Sequence, residues 1–152
     1  MSTISSAGCR HRAPSWRRPP VPTLHTYDYA IVRVVPRVER GEFVNVGAIV
    51  SCKRASFLKA RIELDEARVL ALAPDLDLVP VRATLRAIPD ICAGGEAAGA
   101  LRHLSARERF DWLVAPRSTV IQTSPVHTGR CDDLDLALEK LIARMVRVAP
   151  AG

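Results

Sequence analysis

The longest apolar stretch, Tyr29-Ala30-Ile31-Val32-Arg33-Val34-Val35, is rich in β-branched residues and apolar at odd and even positions alike. Strand side chains alternate between faces, so this pattern predicts a central strand buried on both sides. Pro36 stops it, Glu39-Arg40-Gly41 supplies a turn, and Phe43 to Cys52 predicts a second strand close enough for an antiparallel hairpin. Asn45 and Gly47 fall inside that strand, on one face by alternation, and a glycine there marks a bulge or a close approach. From Leu58 to Leu64 apolar and charged residues alternate, which predicts a third strand with one wet face.

The period then lengthens. Asp65 is placed to cap a helix over Glu66 to Ala73, ended by Pro74. Leu78, Val81, Leu85, Ile88 and Cys92 recur at three- and four-residue spacing and predict a second helix, opened by Pro80 and followed by Gly94-Gly95. Pro89 is expected to bend or shorten it. Residues 94–104 read as a Gly/Ala-rich connection. Ser105 and Glu108 have capping-box spacing ahead of a short helix that turns Phe110 and Leu113 inward. Ser118 to Thr123 predicts a fourth strand, followed by a loop. Asp132-Asp133 caps a last helix with the stripe Leu134, Leu138, Leu141, Ile142 and Met145. The expected fold is α+β, a mainly antiparallel sheet of about four strands with three to four helices packed on one face.

Composition changes this picture at one end only. Residues 1–26 hold Arg10, Arg12, Arg17 and Arg18, four prolines and no acid, which reads as a disordered basic tail or the product of a start codon set too early. The single expected domain is 27–152, where 18 basic groups against 16 acidic ones make a weak case for a polyanion. Nucleic acid is expected only through the tail. Cys9, Cys52, Cys92 and Cys131 show no C-x-x-C pair, which points to free thiols in a reducing cytosol and to no metal. No apolar run approaches the ~18 residues of a membrane span, and no cofactor motif occurs. The expected location is cytoplasmic.

The unusual polar chemistry is concentrated in Ala115 through Gly129. Arg117-Ser118-Thr119 could cradle an anion, the guanidinium gripping two oxygens while hydroxyls complete the site. The plain alternative pairs Arg117 with Asp111 or Glu39. Gln122 and Thr128 extend the polar run, and His127 near Ser124 could act as general base beside a hydroxyl nucleophile. Upstream, Glu39, Arg40, Glu42 and Asn45 form a second polar segment that could wall the same site. Glu42 is the other acid/base candidate, and Glu39 or Glu42 could join His127 on a metal, although solvated charges are the usual case in a hairpin turn. Asn45 and Gln122, if buried face to face, would make a structural hydrogen bond.

Tyr27-Asp28-Tyr29, Glu39 through Gly47, Glu108-Arg109-Phe110 and Ala115 through Gly129 together resemble the bacterial family known as domain of unknown function 3037, over about residues 27–147. The resemblance implies no established activity. Members are often encoded beside a kinase-like protein of the HipA type, which implies a role as that protein's partner. Three expectations result. The first, not an enzyme, is a small binding or regulatory module whose polar groove holds an anionic ligand or a segment of a partner. The second is a phosphoester- or nucleotide-processing enzyme using Arg117, Ser118 and His127. The third is a nucleic-acid-binding accessory protein.

Overall fold

A computed structural model describes residues 23–148. Strands β1 (His25–Val34), β2 (Val44–Cys52) and β3 (Phe57–Ile62) form an antiparallel meander. Helices α1 (Glu66–Leu72) and α2 (Leu78–Ala93) follow, then a 3-10 segment Gly95–His103 broken at Gly99, and helix α3 (Ala106–Leu113). Short strands β4 (Ile121–Thr123) and β5 (His127–Cys131) precede helix α4 (Leu134–Leu141), which runs on as a π-helical turn, Ile142–Val146. The class is α+β with an antiparallel sheet, as the residue pattern predicts.

Among the described residues the sheet has five strands in the order β3-β2-β1-β4, with β5 beside β4 on the same edge of β1. β4 pairs with the second half of β1, Val34 opposite Ile121, and β5 with the first half, Tyr29 opposite His127. β5 was expected as loop. Its sequence, His-Thr-Gly-Arg-Cys, carries no apolar alternation, and it becomes a strand because β1 is long enough to offer it an edge. β1 itself starts at His25, inside the stretch read as tail; the rest of that tail before residue 23 lies outside the described residues.

Helices cover both faces, where one was expected. Val32, Val34, Val44, Val46 and Ile49 pack against α1, α2 and α3 through Val69, Val81, Leu85, Ile88, Phe110 and Leu113. On the other face Ile31, Ala48, Val50 and Cys52 meet Leu134, Leu138, Ile142 and Val146. The doubly apolar β1 and β2 required this second cover. The alternating β3 hides it, because the face it presents to α4 is charged: Lys59 bonds Asp135 at 2.6 Å, and Arg61 bonds Glu139. The face read as wet is therefore bridged by ion pairs.

Two irregularities set side-chain directions. Val32 pairs with Gly47 and Arg33 with Asn45, so Val46 is the extra residue of a bulge. The bulge reverses the phase of β2, so that Val44 and Val46 face α2 while Ala48 and Val50 face α4. Asn45 and Gly47 consequently lie on opposite faces, contrary to simple alternation. The second irregularity is the π turn, closed by Arg147 N donating to Ile142 O at 3.0 Å. The widened turn brings Val146 onto the core and leaves Met145 43% exposed, so Val146 replaces Met145 in the stripe. Pro89 does not shorten α2, which runs through it to Ala93.

Candidate functional site

The two polar segments flank one strand. Asn45 on β2 and Gln122 on β4 both sit opposite Arg33, making a row Asn45–Arg33–Gln122 across the sheet on the α4 side. Arg33 is the residue that reading by segments missed, although a lone guanidinium inside Ile31-Val32-Arg33-Val34-Val35 was its signal. Its guanidinium carbon lies 4.0 Å above the Phe43 ring. Arg33 Nε and Asn45 Oδ1 are buried without a hydrogen-bond partner among the described residues.

Asn45 does not bond Gln122. Its Nδ2 donates to Met145 O at 3.0 Å, and Arg68 donates to Val146 O at 3.0 Å, so two side chains satisfy the last carbonyls of the terminal helix. Arg147 fixes the same end by two bonds to Glu63, at 2.8 and 2.7 Å. The Arg147 guanidinium holds the Glu63 carboxyl below its ordinary pKa, against the opposing effect of burial. Glu108-Arg109-Phe110 is structural in the same sense. Glu108 completes the capping box with Ser105, Phe110 is core, and Arg109 donates to Ile91 O and Leu104 O, holding the end of α2 to the start of α3.

The candidate catalytic groups are separated or already occupied. Ser124 is buried; its Oγ accepts from Ile31 N and donates to Pro125 O, both at 2.9 Å, filling the gap between β4 and β5 in the ladder with β1. Ser124→Ala leaves the buried Ile31 N–H without this partner and is expected to cost about 1–3 kcal/mol, read as a lower urea midpoint. An unchanged midpoint would contradict the assignment. His127 stacks on Tyr29, ring centroids 5.4 Å apart, and Thr128 Oγ1 donates to Asp28, which also accepts from Arg107 at 2.6 Å. Glu39, Arg40 and Glu42 occupy the exposed β1–β2 loop, at the opposite end of β1 from Tyr29 and His127. There Arg40 bonds Glu42 at 2.5 Å and holds its carboxyl below the ordinary range, which weakens it as a base. Among the described residues no three His, Cys, Asp or Glu side chains converge as metal ligands. Burial pushes the Cys92 thiol up to about 12 and raises Cys131, so both stay protonated at neutral pH.

Arg117, Ser118 and Thr119 are exposed, and Arg117 and Thr119 border a groove of about 570 Å³ between α2 and β4, which Ser118 does not line. Its walls are Pro80, Val81, Thr84, Ala87, Ile88 and Ile91 of α2, Trp112 and Leu113 of α3, and residues 119–123. The groove is therefore mainly apolar, where a polar one was expected. Arg117 bonds Trp112 O at 2.5 Å and lies over the indole, 4.3 Å from the ring centroid. It does not meet Asp111, which pairs with Arg107 instead. The apolar wall escaped sequence reading because Pro80, Thr84 and Ala87 lie outside the stripe that marks the buried face of α2.

Groove and strand edge are continuous. Ile121, Gln122 and Thr123 all line the groove although their side chains alternate, so the cavity reaches the backbone of β4. Val120 O accepts from Val35 N, and Ser124 N donates to Ile31 O. By alternation the N–H and C=O groups of Ile121 and Thr123 point away from β1, along an edge that no strand covers among the described residues. Thr119 Oγ1 reaches over to donate to Ile121 O at 2.7 Å.

No helix among the described residues is long and apolar enough to cross a membrane. No curated protein and no solved structure matches the chain. A family model described as protein of unknown function (DUF3037) matches residues 29–146, from Tyr29 of β1 to the π turn, and the chain belongs to that family.

Proposed function

We propose that the protein is a binding module, not a catalyst, which captures an extended apolar segment of a partner protein by adding it as a strand to the outer edge of β4. The observation that carries this reading is the continuity of the open β4 edge with the α2 groove. A peptide paired with Ile121 and Thr123 would gain main-chain hydrogen bonds, sharing Ile121 O with Thr119 Oγ1 or displacing it, and drop alternate side chains against Val81, Ile88 and Trp112. Arg117 pairs with no carboxylate among the described residues, so the segment should carry an acidic residue or its own terminal carboxylate near it. The HipA-type kinase-like protein implied by the family resemblance is the first partner to test. The phosphoester-processing alternative draws no comparable support, because Arg117 borders the α2 groove whereas His127 leans on Tyr29, which packs on the α4 side of the sheet.

The test is binding of the purified kinase-like protein to the full chain, to Arg117→Ala and to Ala87→Trp, which fills the groove from an exposed position. Each variant should keep its melting temperature and lose about tenfold or more in affinity, the scale of one lost charge-assisted bond or anchor. Hydrogen exchange at the amides of Ile121 and Thr123 should slow in the complex. Equal affinities, or no protection of these two amides, would overturn strand addition; no binding at all would overturn the choice of partner.

A further inference from the structure

On the opposite side of the sheet from the α2 groove, α4 is sorted by charge. Its acids turn toward β3, where Asp135 meets Lys59 and Glu139 meets Arg61 and Arg147. Its bases Lys140 and Arg144, four residues apart and so on one flank, line a cavity of about 350 Å³ toward β5 and have no ion pair among the described residues. Two like charges on one flank oppose each other unless an anion sits between them and their surroundings. Asp132 and Asp133 share the cavity but lie at its other end. Asp133 is spent on capping Leu136 N, and Lys140 is roughly 10 Å farther along the helix at 1.5 Å per residue.

The helix dipole also favours cations near a C-terminus, so charge alone carries nothing here. The wall of the cavity those cations share does. It is built from the rings of Tyr27 and Tyr29, centroids 6.0 Å apart, with His127 continuing the series 5.4 Å beyond Tyr29. Tyr27 lies against β5 only because position 129 is glycine: a Cβ there would stand 2.6 Å from the ring and its hydroxyl. The floor is apolar, from Ala137, Leu141 and Met145, and the π turn sets Arg144 and Met145 at the cavity's end. An aromatic wall, an apolar floor and the uncommitted cations Lys140 and Arg144, with Arg130 of β5 as a third in the same cavity, match a ligand with a flat face and a negative group.

We propose that this cavity binds a small planar ring carrying one oxyanion, of the size and chemistry of a nucleoside monophosphate, with the ring against Tyr27 and Tyr29 and the oxyanion between Lys140 and Arg144. The volume lies in the range of small-molecule sites, and ring stacking with charge-assisted hydrogen bonds supplies the recognition. The site is independent of the β4 edge. The molecule thus joins a small-ligand site on one face to a peptide site on the other through the shared strand β1.

The test is calorimetric titration of the full chain with AMP, UMP and inorganic phosphate. Both nucleotides should bind, phosphate about tenfold more weakly. The Lys140→Ala/Arg144→Ala double variant, which alters exposed side chains only, should keep its melting temperature and lose nucleotide affinity by at least about tenfold. Gly129→Ala should push the Tyr27 ring aside and erase the preference for nucleotide over phosphate. Arg117→Ala should change nothing. The proposal fails if neither nucleotide binds at roughly 1 mM, ten times the dissociation constant that modest stacking and two charged bonds would give. It also fails if phosphate binds as tightly as AMP, if the double variant binds unchanged, or if a short oligonucleotide binds far more tightly than its monomer.

Discussion

Phe110→Ala is expected to remove about 3–5 kcal/mol of stability and to lower the melting temperature by roughly 10–20 °C. Phe110 heads the fully buried side chains by size, at 0% exposed, and stands where α3 meets Val32, Val34 and Val46 of the sheet. α3 has eight residues and buries only Phe110 and Leu113, so the substitution deletes the larger half of its anchorage and leaves a cavity that a short, capped helix cannot collapse to fill. Against a total of about 5–15 kcal/mol for an ordinary domain, that loss brings partial unfolding near physiological temperature. α3 also carries Trp112 and Leu113 into the groove wall, so partner affinity should fall together with stability. Thermal and urea unfolding followed by circular dichroism give the size of the effect. A loss below about 1 kcal/mol would mean that α3 is not held by this ring, and the groove it helps to build would lose its support.

The elements whose signals are local were legible in the residues. Asp65 accepts from Arg68 N, Ser105 and Glu108 close their box, and Asp133 accepts from Leu136 N, each a helix start fixed by a few neighbouring side chains. The β-branched run at Ile31 to Val35 announced a strand buried on both faces. Its logical partner, a helix on the second face, was hidden because β3 meets α4 through charges and not through apolar residues. β5 was invisible for another reason: an edge strand that buries little has no hydrophobic period to read. The candidate site divides in the same way. Composition located the polar segments, and the fold does lay them on either side of β1. It could not tell that Ser124, Thr128 and the Asn45 Nδ2 spend hydrogen bonds on the fold, since their partners Ile31, Asp28 and Met145 are about a hundred residues away along the chain. Nor could it show that the exposed flank of α2, with Pro80, Thr84 and Ala87, becomes a groove wall only when β4 is laid beside it.

Gly47→Ala should be destabilising by about 2–3 kcal/mol, a drop of roughly 10 °C in melting temperature, although the same change inside an ordinary strand gains about 0.5–1 kcal/mol. The sign follows from what a Cβ would meet: Arg61 O and Ile62 Cδ1, each at 2.6 Å. The Ile62 side chain can rotate away, but Arg61 O belongs to the backbone of β3, which the ladder with β2 holds in place through Ala48. Straightening the bulge offers no escape. It would turn Val44 and Val46 out of the α2 core and drive Asn45 into it, away from Met145 O, exchanging one steric contact for a reversed strand face. Gly41→Ala supplies the contrast. Gly41 has φ +73 and nothing within 4 Å of its Cβ, so only the left-handed backbone opposes a side chain there, at about 1–2 kcal/mol. Urea midpoints of the two variants separate the effects, because easing the left-handed turn with Gly41→Asn should recover most of the Gly41→Ala loss, whereas at position 47 any side chain meets the same carbonyl. A neutral or stabilising Gly47→Ala would show that β2 and β3 do not approach this closely, and the phase reversal that turns Asn45 toward α4 would then need another cause.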